Sequence, residues 1–95
     1  MAKWRFYGYD VWGRGADAWV NDIYDTDFVL DLPHNPPIVK IVDAIKRNMG
    51  DKVEIDNHYI SDTTVYLNHY VTYTDEDTGK IMHDIEPYGE IRREA

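Results

Sequence analysis

Asn35-Pro36-Pro37-Ile38-Val39-Lys40-Ile41-Val42-Asp43-Ala44-Ile45-Lys46-Arg47-Asn48-Met49-Gly50 is the one stretch with clear helical periodicity. Ile38, Ile41, Val42, Ile45 and Met49 recur at the spacing of one helix face. Lys40, Asp43 and Arg47 fall on the other. Asn35 reads as the N-cap and Pro36 as the first helical residue, where a missing N–H costs nothing. Gly50 reads as the left-handed closing residue.

Around this helix the chain reads as strand and turn. From Lys3 to Val11, Trp4, Phe6 and Gly8 alternate with Lys3, Arg5, Tyr7 and Tyr9, the pattern of a half-buried strand. Residues 12–17, with two glycines, read as a loop. A short extended piece, Trp19-Val20 and Ile23-Tyr24, precedes a strand with Phe28, Leu30 and Leu32 inward. After the helix come three strands: Lys52 to Ile60, Thr64 to Thr74, and Lys80 to Glu86. Ser61-Asp62-Thr63 reads as a turn, and Asp75 to Gly79 as a hairpin loop. Pro87 reads as the end of the last strand, and residues 88–95 as a frayed tail. The order is ββαβββ. The expected fold class is α+β: a single, mainly antiparallel sheet of about five strands with one amphipathic helix on one face. No repeat or linker divides the 95 residues, so one domain over 1–95 is expected.

Composition narrows the function classes. There are 18 acids against 10 bases, a net charge of -8, and no cysteine. Without cysteine there is no disulfide framework or thiolate chemistry, and a cytoplasmic setting is expected. No apolar run is long enough to span a membrane, so no membrane partner is expected. Asp17, Asp22, Asp25, Asp27 and Asp31 form one base-free acidic segment, and Glu54, Asp56, Asp62, Asp75, Glu76 and Asp77 another. Such a surface argues against direct nucleic-acid binding, which needs a basic face. It attracts basic partners, and it also keeps a small protein soluble.

Few groups suggest catalysis. Ser61 is the only serine, and no nucleophile–base pair is apparent, so no enzymatic role and no cofactor are expected. His69 and His83 read as facing each other on one hairpin face, but spacing fixes no third ligand. They are expected to be structural, with no metal bound. Asp75, Asp77 and Glu86 fall at the first, third and last ligand places of a calcium loop. The glycine comes one place early and the flanks read as strands, so a solvated turn is expected.

The least generic feature is an aromatic and acidic front. Trp4, Phe6, Tyr7, Tyr9, Trp12, Trp19, Tyr24 and Phe28 are interleaved with Asp10, Asp17, Asp22 and Asp25. Strand alternation cannot bury both Trp4/Phe6 and Tyr7/Tyr9 against one helix. Trp12 and Trp19 are hard to place inward, and Trp and Tyr are the usual interface anchors. Trp12, Trp19, Asp22, Tyr24, Asp10 and Asp25 are therefore the candidate partner-binding residues, for a partner with a basic surface.

The motifs Tyr9-Asp10-Val11-Trp12-Gly13 and Trp19-Val20-Asn21-Asp22-Ile23-Tyr24-Asp25-Thr26 resemble a pattern in small uncharacterised proteins encoded by bacteriophages, over the first third of the chain. The resemblance implies an accessory protein made inside an infected bacterium. By analogy with such proteins, its action would be to inhibit a host protein, a defence factor among them. The alternative is a small-ligand or nucleotide-sequestering protein that stacks its ligand on Trp or Tyr, with Arg14 or the helix bases meeting its charge. Such a sponge would be a homo-oligomer with pockets between subunits.

Overall fold

The computed structural model describes residues 1–60 and 63–94; the turn read at Ser61-Asp62 lies outside the described residues. Five strands, β1 (Ala2–Trp12), β2 (Trp19–Leu32), β3 (Val53–Ile60), β4 (Thr64–Thr74) and β5 (Ile81–Arg93), and one helix, α1 (Ile38–Met49), make up the fold. The strands form one open sheet in the order β2-β1-β5-β4-β3, and every neighbouring pair is antiparallel. The α+β class and the order of elements agree with the periodicity of the sequence.

One sheet face forms the core with α1. Trp4, Leu30, Leu32, Val53, Ile55, Val65, Leu67 and Ile91 are buried there, and Ile41, Ala44 and Ile45 of α1 close over them. Phe6, Phe28, Val42 and Met49 pack at the margin. Ile38, assigned by periodicity to the same helix face, is exposed, so the buried face of α1 begins at Ile41. Helix entry also differs from the expected form. Pro37 is the N-cap residue and no side chain caps the helix. Asn35 accepts instead from the Arg93 guanidinium at 3.2 Å, which ties the α1 approach to β5. Gly50 ends the helix with φ 90° as expected.

The last strand does not stop at Pro87. β5 runs on to Arg93, so residues 88–93 are the centre of the sheet rather than a frayed tail. A proline fits because β1 pairs with β5 only from Trp4↔Arg93 to Gly8↔Gly89, and Pro87 lies beyond that pairing. Across β4 the register slips here as well. Leu67 faces Gly89 and Asn68 faces Pro87, leaving Tyr88 as the extra residue of a bulge.

That register separates the histidines. His69 faces Glu86, while His83 faces Thr72, an odd number of residues along, so the two imidazoles lie on opposite faces of the hairpin. Ile81 and Ile85 share the face of His83, Thr72 and Tyr70, not that of Leu67, and are exposed. The molecule is 49 Å long. A helix of 12 residues spans about 18 Å. The distal halves of the β1–β2 and β4–β5 hairpins therefore extend past α1 as two arms.

Candidate functional site

The N-terminal arm is one continuous hairpin. β2 starts at Trp19, so the segment from Trp19 to Tyr24 is strand rather than loop with a short extended piece. The cross-strand pairs are Gly8↔Tyr24, Tyr9↔Ile23, Asp10↔Asp22, Val11↔Val20 and Trp12↔Trp19, with Asn21 bulged out. Directly paired residues share a face, and faces alternate along each strand. Tyr24, the Asp10/Asp22 pair and the Trp12/Trp19 pair consequently form one stripe. Asp25, paired with Tyr7, is on the other face and 3.9 Å from Arg5. Five of the six candidate residues come together; Asp25 does not.

The stripe is open to solvent. Trp12, Trp19 and Tyr24 are 57%, 55% and 54% exposed. The indole centroids lie 6.5 Å apart, tilted by 46°. The Tyr24 ring lies against Gly8: a Cβ on that glycine would stand 2.5 Å from it. Of the aromatic front, only Trp4 belongs fully to the core, with Phe6 and Phe28 at its edge.

The acidic pair has no basic counterpart. Among the described residues neither Asp10 nor Asp22 takes part in an ion pair. Asp10 accepts from the Asn21 amide at 3.0 Å, and Asp22 from the backbone N–H of Ile23 at 2.8 Å. Two facing carboxylates repel each other and destabilise a sheet. Between exposed rings they form a site where a cation meets two charges and flanking π faces at once.

The loop linking β1 and β2 fixes the arm. Gly15–Asp17 form a single 3-10 turn. Its N–H groups cross to β5, where Gly15 donates to Glu86 at 2.8 Å and Ala16 to Asp84 at 3.0 Å. Arg14 lies 5.9 Å over the Tyr73 ring and 3.8 Å from Glu76, so it is engaged by the other arm.

A second cluster went unseen in the sequence. On the sheet face turned from α1, Tyr7, Glu90 and Tyr66 stand side by side on β1, β5 and β4. Glu90 is 3% exposed and is the buried charged group among the described residues. It accepts from the Tyr9 hydroxyl at 2.9 Å and from Arg92 Nε at 2.7 Å. The Arg92 guanidinium lies 4.3 Å over the Tyr7 ring. Burial first, then the hydrogen bond to Glu90, raise the Tyr9 hydroxyl above its ordinary range, so it stays a neutral donor. Both carboxylate oxygens are satisfied, which makes this cluster a structural tie between the central strands. The alternation Glu90-Ile91-Arg92 is the sequence signal for this strand, and reading Pro87 as a strand end conceals it.

No three His, Asp or Glu side chains gather as a metal centre among the described residues. His69 packs 5.0 Å from the Tyr88 ring with Nε2 3.7 Å from Glu86, and His83 Nδ1 lies 3.3 Å from Thr72. No helix is long and apolar enough to cross a membrane. No protein-family model matches the chain, and neither a curated protein nor a solved structure matches it.

Proposed function

We propose that this chain is a non-catalytic binding protein that engages a protein with a basic surface through the Tyr24–Asp10/Asp22–Trp12/Trp19 stripe. In the setting implied by the N-terminal resemblance, it is a bacteriophage accessory protein that inhibits a host protein in the bacterial cytoplasm. The observation behind this reading is the uncompensated Asp10/Asp22 pair framed by three exposed aromatic rings. A sheet gains nothing from facing like charges, and large exposed rings are costly to solubility, so their coincidence favours contact with another molecule. The net charge of -8 steers basic partners toward it and keeps nucleic acid away.

Affinity capture from a bacterial lysate tests the proposal, using the wild type beside Trp19→Ala and Asp10→Asn/Asp22→Asn. The expected result is one host protein retained by the wild type, released by salt and lost in both variants. Equal retention by all three proteins refutes the assignment of the stripe.

A further inference from the structure

β1 and β5 separate beyond Gly8↔Gly89, and farther along the β1–β2 loop reaches β5, where Gly15 and Ala16 donate to Glu86 and Asp84. The gap so framed is a cleft of about 270 Å³. Phe6, Tyr9, Tyr24 and Tyr88 supply rings to its lining, with His69 and Glu86 as polar groups, and no lysine or arginine takes part. Phe6 and Tyr88 are stacked at 5.5 Å. Glu86 Oε1 is held by Gly15 N–H, whereas the neighbour of Oε2 is His69 Nε2 at 3.7 Å, beyond hydrogen-bond distance. A carboxylate oxygen with spare capacity is thus set among aromatic rings.

We propose that the cleft between β1 and β5 binds an organic cation, an alkylated ammonium or a guanidinium, between its aromatic walls and Glu86. Rings present negative faces to a cation, and a single carboxylate supplies the counter-charge. An anionic ligand would meet the Glu86 carboxylate with only the His69 imidazole, and no lysine or arginine, beside it. A neutral apolar ligand would leave Oε2 unused. The inference does not depend on the partner assigned to the stripe, although Tyr24 borders both.

Choline and guanidinium, titrated by NMR into the whole protein against equal sodium chloride, are the probes. The comparison is choline's uncharged carbon isostere, in which a tert-butyl group replaces the trimethylammonium. Saturable shifts at Tyr24, Tyr88 and Glu86 are expected, with the isostere about tenfold weaker or more. Glu86→Gln keeps an acceptor for Gly15 N–H and should lower choline affinity about tenfold without changing the melting temperature. Asp10→Asn/Asp22→Asn should bind choline as the wild type does, which separates this site from the stripe. A peptide bearing one trimethyllysine or arginine distinguishes the sources. Tighter binding than the free cation assigns the cleft to a protein side chain, and equal binding to a free small molecule. Isostere and choline binding alike, neither cation binding, or Glu86→Gln binding unchanged would each overturn the proposal.

Discussion

The Tyr9 hydroxyl donates to Oε1 of Glu90 at 2.9 Å, joining β1 to a carboxylate buried on β5. Arg92 remains a partner when Tyr9 is removed, so Tyr9→Phe is expected to cost about 1–3 kcal/mol in denaturant melts rather than unfold the protein. The pair also sets an alkaline limit. Folding raises the Tyr9 pKa, by burial first and then by the bond to Glu90, above an unfolded value of about 10. Below that pH both states hold the proton and the contribution is constant. Above it the unfolded chain gives up its proton first, so stability falls as pH rises through the folded value. Tyr70, raised by its hydrogen bond to Glu54, adds to the same limb. Melts from pH 8 upward should therefore show a shallower alkaline decline in Tyr9→Phe, though not its disappearance.

Two glycines at the last β1–β5 pair should respond differently to alanine. A Cβ on Gly89 would meet the Phe6 ring and the Tyr7 carbonyl oxygen, the latter at 2.6 Å. Backbone cannot yield cheaply, and Gly89→Ala should cost about 1–3 kcal/mol. At Gly8 the obstacle is the exposed Tyr24 ring, which can swing away. A gain of about 0.4–1 kcal/mol from the stiffer unfolded chain then leaves Gly8→Ala near neutral. Equal losses in thermal melts would contradict the placement of Tyr24.

Ile45 is 1% exposed at the centre of the helix–sheet contact. Ile45→Ala should cost about 2–5 kcal/mol in chemical denaturation. Gly50→Val has open space around it, yet forces a β-branched residue to φ 90°. Its expected cost is about 1–3 kcal/mol. Unchanged midpoints would mean that α1 does not seat there.

The stripe predicts a separation of stability from binding. Trp12→Ala or Trp19→Ala breaks a cross-strand aromatic pair and should lower stability by about 1 kcal/mol or less. Loss of partner affinity should be roughly 2 kcal/mol or more if the ring is a hot spot. Asp22→Lys relieves the repulsion with Asp10 and should stabilise the arm by a few tenths to about 1 kcal/mol. It should also slow association, and high salt should erase much of that difference. Melts alongside surface-plasmon kinetics would check both halves.

Local physics made much of this legible. The period of Ile41, Val42 and Ile45 marked α1, and β-branched and aromatic density marked β4 from Thr64 to Thr74. What escaped depended on non-local neighbours. Pro87 ends a strand only where a partner requires its N–H, and β1 has already left β5 there. His69 and His83 read as one face, but the length of the hairpin loop sets Thr74 opposite Ile81, and that register puts them on opposite faces. Asn35 looked like a cap, but Arg93, far along the chain, claimed its side chain. For the stripe, residue types indicated Trp12, Trp19 and Tyr24 as exposed anchors. Alternation alone sets Trp12 and Tyr24 beside Asp10 and Asp22 and turns Asp25 to the other side, but only the bulge at Asn21 brings Trp19 onto the same face.

The pairing of β1 with β5, Trp4 opposite Arg93, also dictates the order in which the chain can assemble. Until β5 has left the ribosome, the β1–β2 hairpin and the α1–β3–β4 segment share no strand pairing, and Trp4, Leu30 and Leu67 have no complete core to enter. Closing that loop is an entropic barrier that only late, long-range contacts repay. Folding should be slow for a chain of this size, and newly made molecules should expose their two hairpins to chaperones and proteases until the central strand inserts.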